Sequence, residues 1–277
     1  MRAALLVCLA ALLSGCNTLD LNSFGDIGAT LNQAFVPASE DDEAEIGRES
    51  AAVLLGAGPL VDDPALQRYV NRVGRWVALQ SDRPDLPWRF AVMDDADINA
   101  FAAPGGYVFI TKGLLARLQS EAELAAVLGH EVAHVTEKHH LVAIRKQARG
   151  KLLGMVASAA MEENGHDAEQ VAALVNGAKD IYSKGLDRKD EYAADRLGMV
   201  LATRAGYDPY ALPAVLQTLD RINPESSQLS LLFKTHPRPG DRLEKLDASM
   251  GVKFDKIGGA TGEKRFRSQM TLAAQQK

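Results

Sequence analysis

The sequence predicts an α+β fold: a mostly helical domain with a small mixed β-sheet and one helix that carries His130, Glu131 and His134. Three observations lead there. Leu124, Val127, Leu128, Val132 and Val135 recur at three- and four-residue spacing around those side chains, as one face of a helix requires. Period-two alternation is confined to a short stretch, where Trp88 to Met93 alternates and the runs Ile98 to Ala102 and Tyr107 to Thr111 flank a turn at Pro104-Gly105-Gly106. The composition, 47% hydrophobic and 24% charged, is that of a soluble globular domain.

Taken in order, the chain opens with Arg2, an apolar run Ala3 to Leu13, and Leu13-Ser14-Gly15-Cys16. A basic start, a short apolar run and small residues before a cut make residues 1–15 a signal peptide, too short to span a membrane as a mature helix. The tetrad looks like a lipobox, in which Cys16 is lipidated and becomes the new N-terminus. The plainer alternative is a secretory signal with a chance cysteine. Asn17, where an Asp would favour retention in the inner membrane, leans toward delivery to the outer membrane. Residues 16–42 then read as a tether ending in the acidic run Glu40 to Glu43. Helices are expected at about Glu43 to Leu55 and Pro64 to Leu79, followed by the sheet. The next helix begins at Ser120, where Ser-x-x-Glu to Glu123 is a capping-box signature. Leu152 to Ala160 is apolar but broken by Gly154 and Ser158, far short of the roughly twenty residues of a membrane span, and reads as a packed or cleft-covering helix. Thr235 to Gly240 is a Pro-rich loop opening a helix from Asp241 to Ser249. The folded domain is thus expected over 43–250, with a tail at 251–277 and no internal repeat.

Charge and cysteine content exclude several roles. The formal charge is −5, one unit more negative once Arg2 is removed, and no long basic patch offers a nucleic-acid surface. Of the two cysteines, Cys8 leaves with the signal and Cys16 is consumed by lipid, so no thiol pair remains for a disulfide or a zinc finger.

His130 and His134 stand four residues apart and so share one helix face, where two imidazoles can close on one ion without ordering a loop. Zinc suits neutral imidazole, and a catalytic zinc site takes three protein ligands and keeps one position open. Glu131 is rotated one step off that face and can reach water at the metal as a general base. A chance match would carry neither helix nor third ligand. Gly129 costs about 1 kcal/mol against Ala in a helix, for which close packing or a close backbone approach is a reason. Glu191 and Asp195 supply the rest. They are four apart on a second helical segment whose Ala193, Ala194 and Gly198 would let two helices draw together. Glu191 completes a His2Glu set, and Asp195 can accept the free ring N–H of a ligand histidine. Asp187, Arg188, Lys189 and Asp190 crowd the same turn, so an ordinary solvated helix is the competing reading. His139 and His140 extend the active helix and read as structural or solvated, and His166, after Asn164-Gly165, as a loop residue.

With these residues in hand, the chain resembles the gluzincin metallopeptidases of the CAAX prenyl protease and HtpX type, within them the bacterial envelope lipoprotein branch of LoiP-like and BepA-like proteins. The resemblance covers roughly Ala44 to Met250. It rests on HExxH, on Glu-x-x-x-Asp at Glu191 and Asp195, on Asn99-Ala-Phe-Ala102 with the Gly105-Gly106 hairpin, and on His236, Pro237 and Arg242. It implies a zincin-like domain holding one Zn2+, with Asn99, Ala100, Phe101 and Ala102 as a sheet edge to which a peptide adds as a strand. It also implies that His236 can occupy the open metal position as a switch, and that Arg242 steadies an oxyanion. BepA-like relatives append a helical repeat domain where a short tail is expected here, so their partner-recruiting role is not carried over.

The expected function is a zinc-dependent endopeptidase cleaving misfolded or unassembled envelope proteins, with Glu131 as general base. Its place is the periplasmic face of the outer membrane, held by a lipid anchor, with protein substrates, no nucleic acid and no other partner assigned. The alternative from another class is a non-proteolytic or latent quality-control and assembly factor that binds envelope proteins.

Overall fold

Ser39 begins the regular structure by capping a helix: its hydroxyl accepts the Asp42 N–H while the Asp42 carboxylate accepts the Ser39 N–H. The description rests on a computed structural model and covers residues 38–159, 181–223 and 226–275, excluding the side chains of residues 150–159, 274 and 275. The expected signal peptide, Cys16, nearly all of the tether and His166 lie outside the described residues. Everything from Ser39 onward groups as a single unit.

Helix α1 spans Glu40–Ala57. The acidic run expected to end the tether is therefore its first turn, where carboxylates meet the positive end of the helix dipole. Glu43 instead turns inward and pairs with Arg83 at 2.7 Å and Lys138 at 3.1 Å. Helix α2, Pro64–Ala78, is capped by Asp63 with Pro64 at its first position, and buries Leu66, Val70, Val73 and Val77.

The sheet is mixed, as expected. β1 (Arg89–Met93) runs parallel to β3 (Tyr107–Thr111), which pairs antiparallel with β2 (Ala100–Ala103), in the order β1-β3-β2. Gly105 and Gly106 turn the hairpin at φ of +74° and +93°, values that favour glycine. The two sheet edges differ. Gln67 of α2 closes the β1 edge, donating to the Val92 carbonyl at 2.9 Å and accepting its N–H at 2.8 Å, and Asn71 accepts the Phe90 N–H at 3.0 Å. β2 is the other edge.

After the short α3 (Lys112–Leu115) comes α4, Glu121–Thr136, in which every residue from Glu121 to Val135 is buried. A helix apolar on one face only would lie on the surface. This one threads the middle of the domain, which is why its polar members must find partners inside. Its cap departs from a full box: Ser120 accepts the Glu123 N–H, but the Glu123 carboxylate accepts from Gln119 instead of Ser120. Helix α5 (His139–Ala159) runs through the apolar Leu152 segment, and among the described residues no helix is long and apolar enough to cross a membrane.

Against α4 pack α6 (Arg188–Arg204) and α7 (Ala211–Asp220), and after the short α8 (Ser230–Thr235) comes α9 (Pro239–Met250), which packs on α6 and α7. Leu124, Leu128, Val132, Leu201, Leu216 and Leu246 form the centre of the core. The stretch read as a tail instead contains α10, Glu263–Gln275. Its Phe266 is buried in that core, and its Arg265 pairs with Glu121, which also accepts the hydroxyls of Tyr69 and Tyr207 at 2.9 and 2.8 Å. The C-terminal helix thereby pins the start of α4.

Candidate metal centre

Two glycines set the site. A Cβ on Gly129 of α4 would come within 2.7 Å of the Gly198 carbonyl, and one on Gly198 of α6 within 2.5 Å of the His130 nitrogen. Only bare backbone lets the helices meet there, the close approach that Gly129 implied in the sequence. Ala194, fully buried, continues the seam. Glu191 and Asp195, one turn apart on α6, are then carried onto the histidine face of α4.

The atoms converge. His130 Nε2 and His134 Nε2 are 3.0 Å apart. Glu191 reaches both, Oε1 at 3.5 Å from His134 Nε2 and Oε2 at 3.6 Å from His130 Nε2. A tetrahedral ion with bonds of about 2.0–2.1 Å holds its ligand atoms roughly 3.3 Å apart, close to these spacings. Among the described residues, Glu191 Oε1 is buried with no hydrogen-bond partner, an orphaned carboxylate oxygen aimed at His134 Nε2. Donor set and orphaned oxygen together fit zinc.

The protonation states are set by the same neighbours. Burial holds the His134 ring well below the usual imidazole range, so it is neutral and its lone pair can ligate. Burial also pushes His130 down, but the Asp195 and Glu191 carboxylates outweigh it and raise the ring to about 9. A metal arriving there must displace a proton. Burial would raise Glu191, yet the histidines around it, His236 foremost, hold it well below the usual carboxylate range. Glu131, buried beside the cluster, is raised, chiefly by burial. A carboxylate shifted upward is a better proton acceptor near neutral pH.

Behind His130, on the side away from Glu191, Asp195 Oδ1 lies 3.0 Å from the ring's Nδ1. Arg242 grips that carboxylate, Nε to Oδ2 at 3.0 Å and Nη2 to Oδ1 at 2.5 Å, and Nη2 is also 3.3 Å from His130 Nδ1. Arg242 thus stands beside His130 and Asp195. Its contacts lie on the Nδ1 side of the His130 ring, where they buttress Asp195.

His236 comes to the centre: its Nδ1 is 2.6 Å from Glu191 Oε2, and His130, Glu191 and His236 have donor atoms within 4.8 Å of one another. Asn99 to Ala102 forms the β2 edge, with Asn99 just outside the strand. Since the Asn99 carbonyl accepts the Thr111 N–H, the main-chain groups of Ala100 and Ala102 point outward. The Ala100 N–H is taken by Asn99 Oδ1 and the Ala102 carbonyl by the Tyr182 hydroxyl, each at 3.0 Å.

Sequence reasoning missed Tyr182, which stacks on His140 and meets Phe101 edge-on. No motif contains it, and its neighbours carry no periodic signal. It also misplaced His139. That residue does not continue the active helix but opens α5, with Nδ1 at 3.0 Å from His134 Nδ1. His140 is half-buried, with its pKa lowered to about 3, chiefly by desolvation.

Comparison with known proteins agrees with this geometry. The model of peptidase family M48 matches residues 64–250. The chain is 30% identical over 247 residues to a putative beta-barrel assembly-enhancing protease of Vibrio cholerae, covering 87% of this chain and 50% of that protein. It is 30% identical to the beta-barrel assembly-enhancing protease of Escherichia coli, over 73% of this chain and 42% of that protein. The mitochondrial metalloendopeptidase OMA1 of Arabidopsis thaliana is 29% identical over 75% of this chain and 42% of its own length. The chain spans about half the length of the curated relatives it matches.

Proposed function

The chain belongs to peptidase family M48, and on that premise we propose that it is a zinc-dependent endopeptidase that cleaves misfolded or unassembled proteins of the bacterial cell envelope. The observation that carries the reading is the convergence of His130, His134 and Glu191 beside the buried Glu131.

His130, His134 and Glu191 would hold the zinc. When bound, zinc supplies Lewis-acid polarisation of the scissile carbonyl and acidifies water toward a pKa of roughly 7. Glu131 takes a proton from the attacking water and passes it to the leaving amine. Asp195, gripped by Arg242, accepts the His130 Nδ1–H and keeps that ring's Nε2 turned to the metal. The substrate adds along β2, since Gln67 and Asn71 close the opposite edge. Pairing there requires the Tyr182 hydroxyl to leave the Ala102 carbonyl.

His236 gates the site. Its contact with Glu191 supports a resting state in which it stands where a substrate carbonyl must enter, since a fourth protein ligand closes a catalytic position. The chain acts at the periplasmic face of the outer membrane, anchored by lipid on Cys16 after removal of residues 1–15. The catalytic domain covers 43–250, and α10 braces it.

The test is cleavage of an unfolded protein by zinc-loaded wild type and His236→Ala, with and without a chelator. Chelator-sensitive cleavage, faster in the variant, is the expected result. Specific binding of the unfolded protein with no cleavage by either would favour a non-proteolytic assembly factor.

A further inference from the structure

We propose that His139 is a positioning residue for the metal ligand His134. The proposal rests on the reading that His134 holds zinc through Nε2. That ring's Nε2 faces His130, so its other nitrogen must carry the hydrogen, and the group in front of Nδ1, at 3.0 Å, is His139 Nδ1. One of two facing nitrogens must donate and the other accept. With His134 donating, His139 accepts on Nδ1 and carries its own hydrogen on Nε2, which faces the Asp190 carboxylate at 4.0 Å. Each ligand histidine then has its own support: a carboxylate held by Arg242 behind His130, and a neutral imidazole behind His134.

The backbone is bent to make this contact. On an unbroken helix, residue 139 would sit about 140° around the axis from His134 and face away from it. The helix stops instead, and Lys138 takes a φ of +58°, the one non-glycine residue with positive φ among those described. For a residue with a Cβ this costs roughly 1–2 kcal/mol, and such strain persists where surrounding structure holds it and tends to collect at functional sites. Here the Lys138 N–H donates to the Val135 carbonyl at 3.1 Å, and the ammonium is fixed at 3.1 Å on Glu43. Glu43 is itself clamped by Arg83, which reaches back to the Val135 carbonyl at 3.3 Å. The reversal returns His139 to the ring it would otherwise have left behind.

The test measures zinc affinity by chelator competition, beside the absorption bands of the cobalt(II)-substituted protein. His139→Phe keeps a ring and loses the acceptor. It should weaken zinc binding by roughly 10–100-fold and shift the cobalt bands. His139→Asn, whose Oδ1 can accept the same N–H, should restore most of the affinity. Wild-type affinity in the Phe variant, or equal losses in Phe and Asn, would overturn the proposal. If His139→Phe fails to fold, nitrogen-15 spectra of the zinc-loaded wild type decide instead. A hydrogen on His139 Nε2 with a bare Nδ1 is expected, and a protonated His139 Nδ1 would overturn it. His130→Ala separates the two claims. If it binds zinc as wild type does, the metal assignment itself is wrong. If it loses zinc while His139→Phe does not, only the role of His139 falls.

Discussion

Gly198→Ala tests whether the approach of α4 and α6 builds the metal centre. The added Cβ would lie 2.5 Å from the His130 nitrogen and 2.7 Å from its Cα, about 0.9 Å inside ordinary van der Waals contact, and the atoms it meets are backbone that cannot swing aside. The helices must part or tilt by a comparable distance, carrying Glu191 and Asp195 away from the histidines. Metal–ligand distances tolerate only about 0.2 Å, so zinc affinity should fall on the order of a hundredfold. Overpacking should also cost about 1–3 kcal/mol of stability. Chelator competition and thermal unfolding of the metal-free protein read the two effects. Gly56→Ala, with nothing among the described residues within 4 Å of its new Cβ, serves as the control and should leave zinc affinity unchanged. A Gly198→Ala protein with wild-type affinity and melting temperature would refute the claim that bare backbone contact sets the ligand geometry.

Three further outcomes follow from the same contacts. Asp195→Ala should weaken zinc binding by roughly 10–100-fold, and its unpaired Arg242 should lower the melting temperature; an unchanged metal affinity would remove Asp195 from the support of His130. Tyr182→Phe keeps the ring against His140 and Phe101 but frees the Ala102 carbonyl, and removing a competitor of about 1 kcal/mol should lower KM for an extended peptide roughly fivefold; a raised KM would count against β2 as the substrate strand. Glu121 is depressed below the usual carboxylate value, burial being outweighed by Arg265, Tyr207 and Tyr69. A lowered folded-state pKa means that its stabilisation is full above the unfolded value near 4.5 and is lost as the pH falls below it. Glu121→Gln should therefore destabilise at pH 7 by about 1–3 kcal/mol and flatten the acid limb of a plot of melting temperature against pH.

Much of the site was legible because helical spacing converts sequence into geometry. His130 with His134, and Glu191 with Asp195, each lie four residues apart, so each pair shares a face before any packing is known. Gly129 announced a close approach, and Gly198 met it. The mixed sheet and its glycine turn were equally local. What escaped depended on breaks and on distant contacts. Lys138 carries no signature of a left-handed turn, so extrapolating the helix sent His139 the wrong way. Arg242 could be placed near the site, but only the packing of α9 shows that its donors face Asp195. Tyr182 meets β2 across a separation in sequence that no local pattern spans. The last helix was missed, although Phe266, Met270 and Ala273 recur at four and three residues and pack on the main core.

The central claim is that His130, His134 and Glu191 hold a zinc against which Glu131 works as the base. Zinc content and cleavage of an unfolded protein, measured together on purified wild type and Glu131→Gln, test it most directly. One zinc per chain in both proteins, with cleavage in the wild type alone, is the predicted result. Cleavage by Glu131→Gln at the wild-type rate would contradict it.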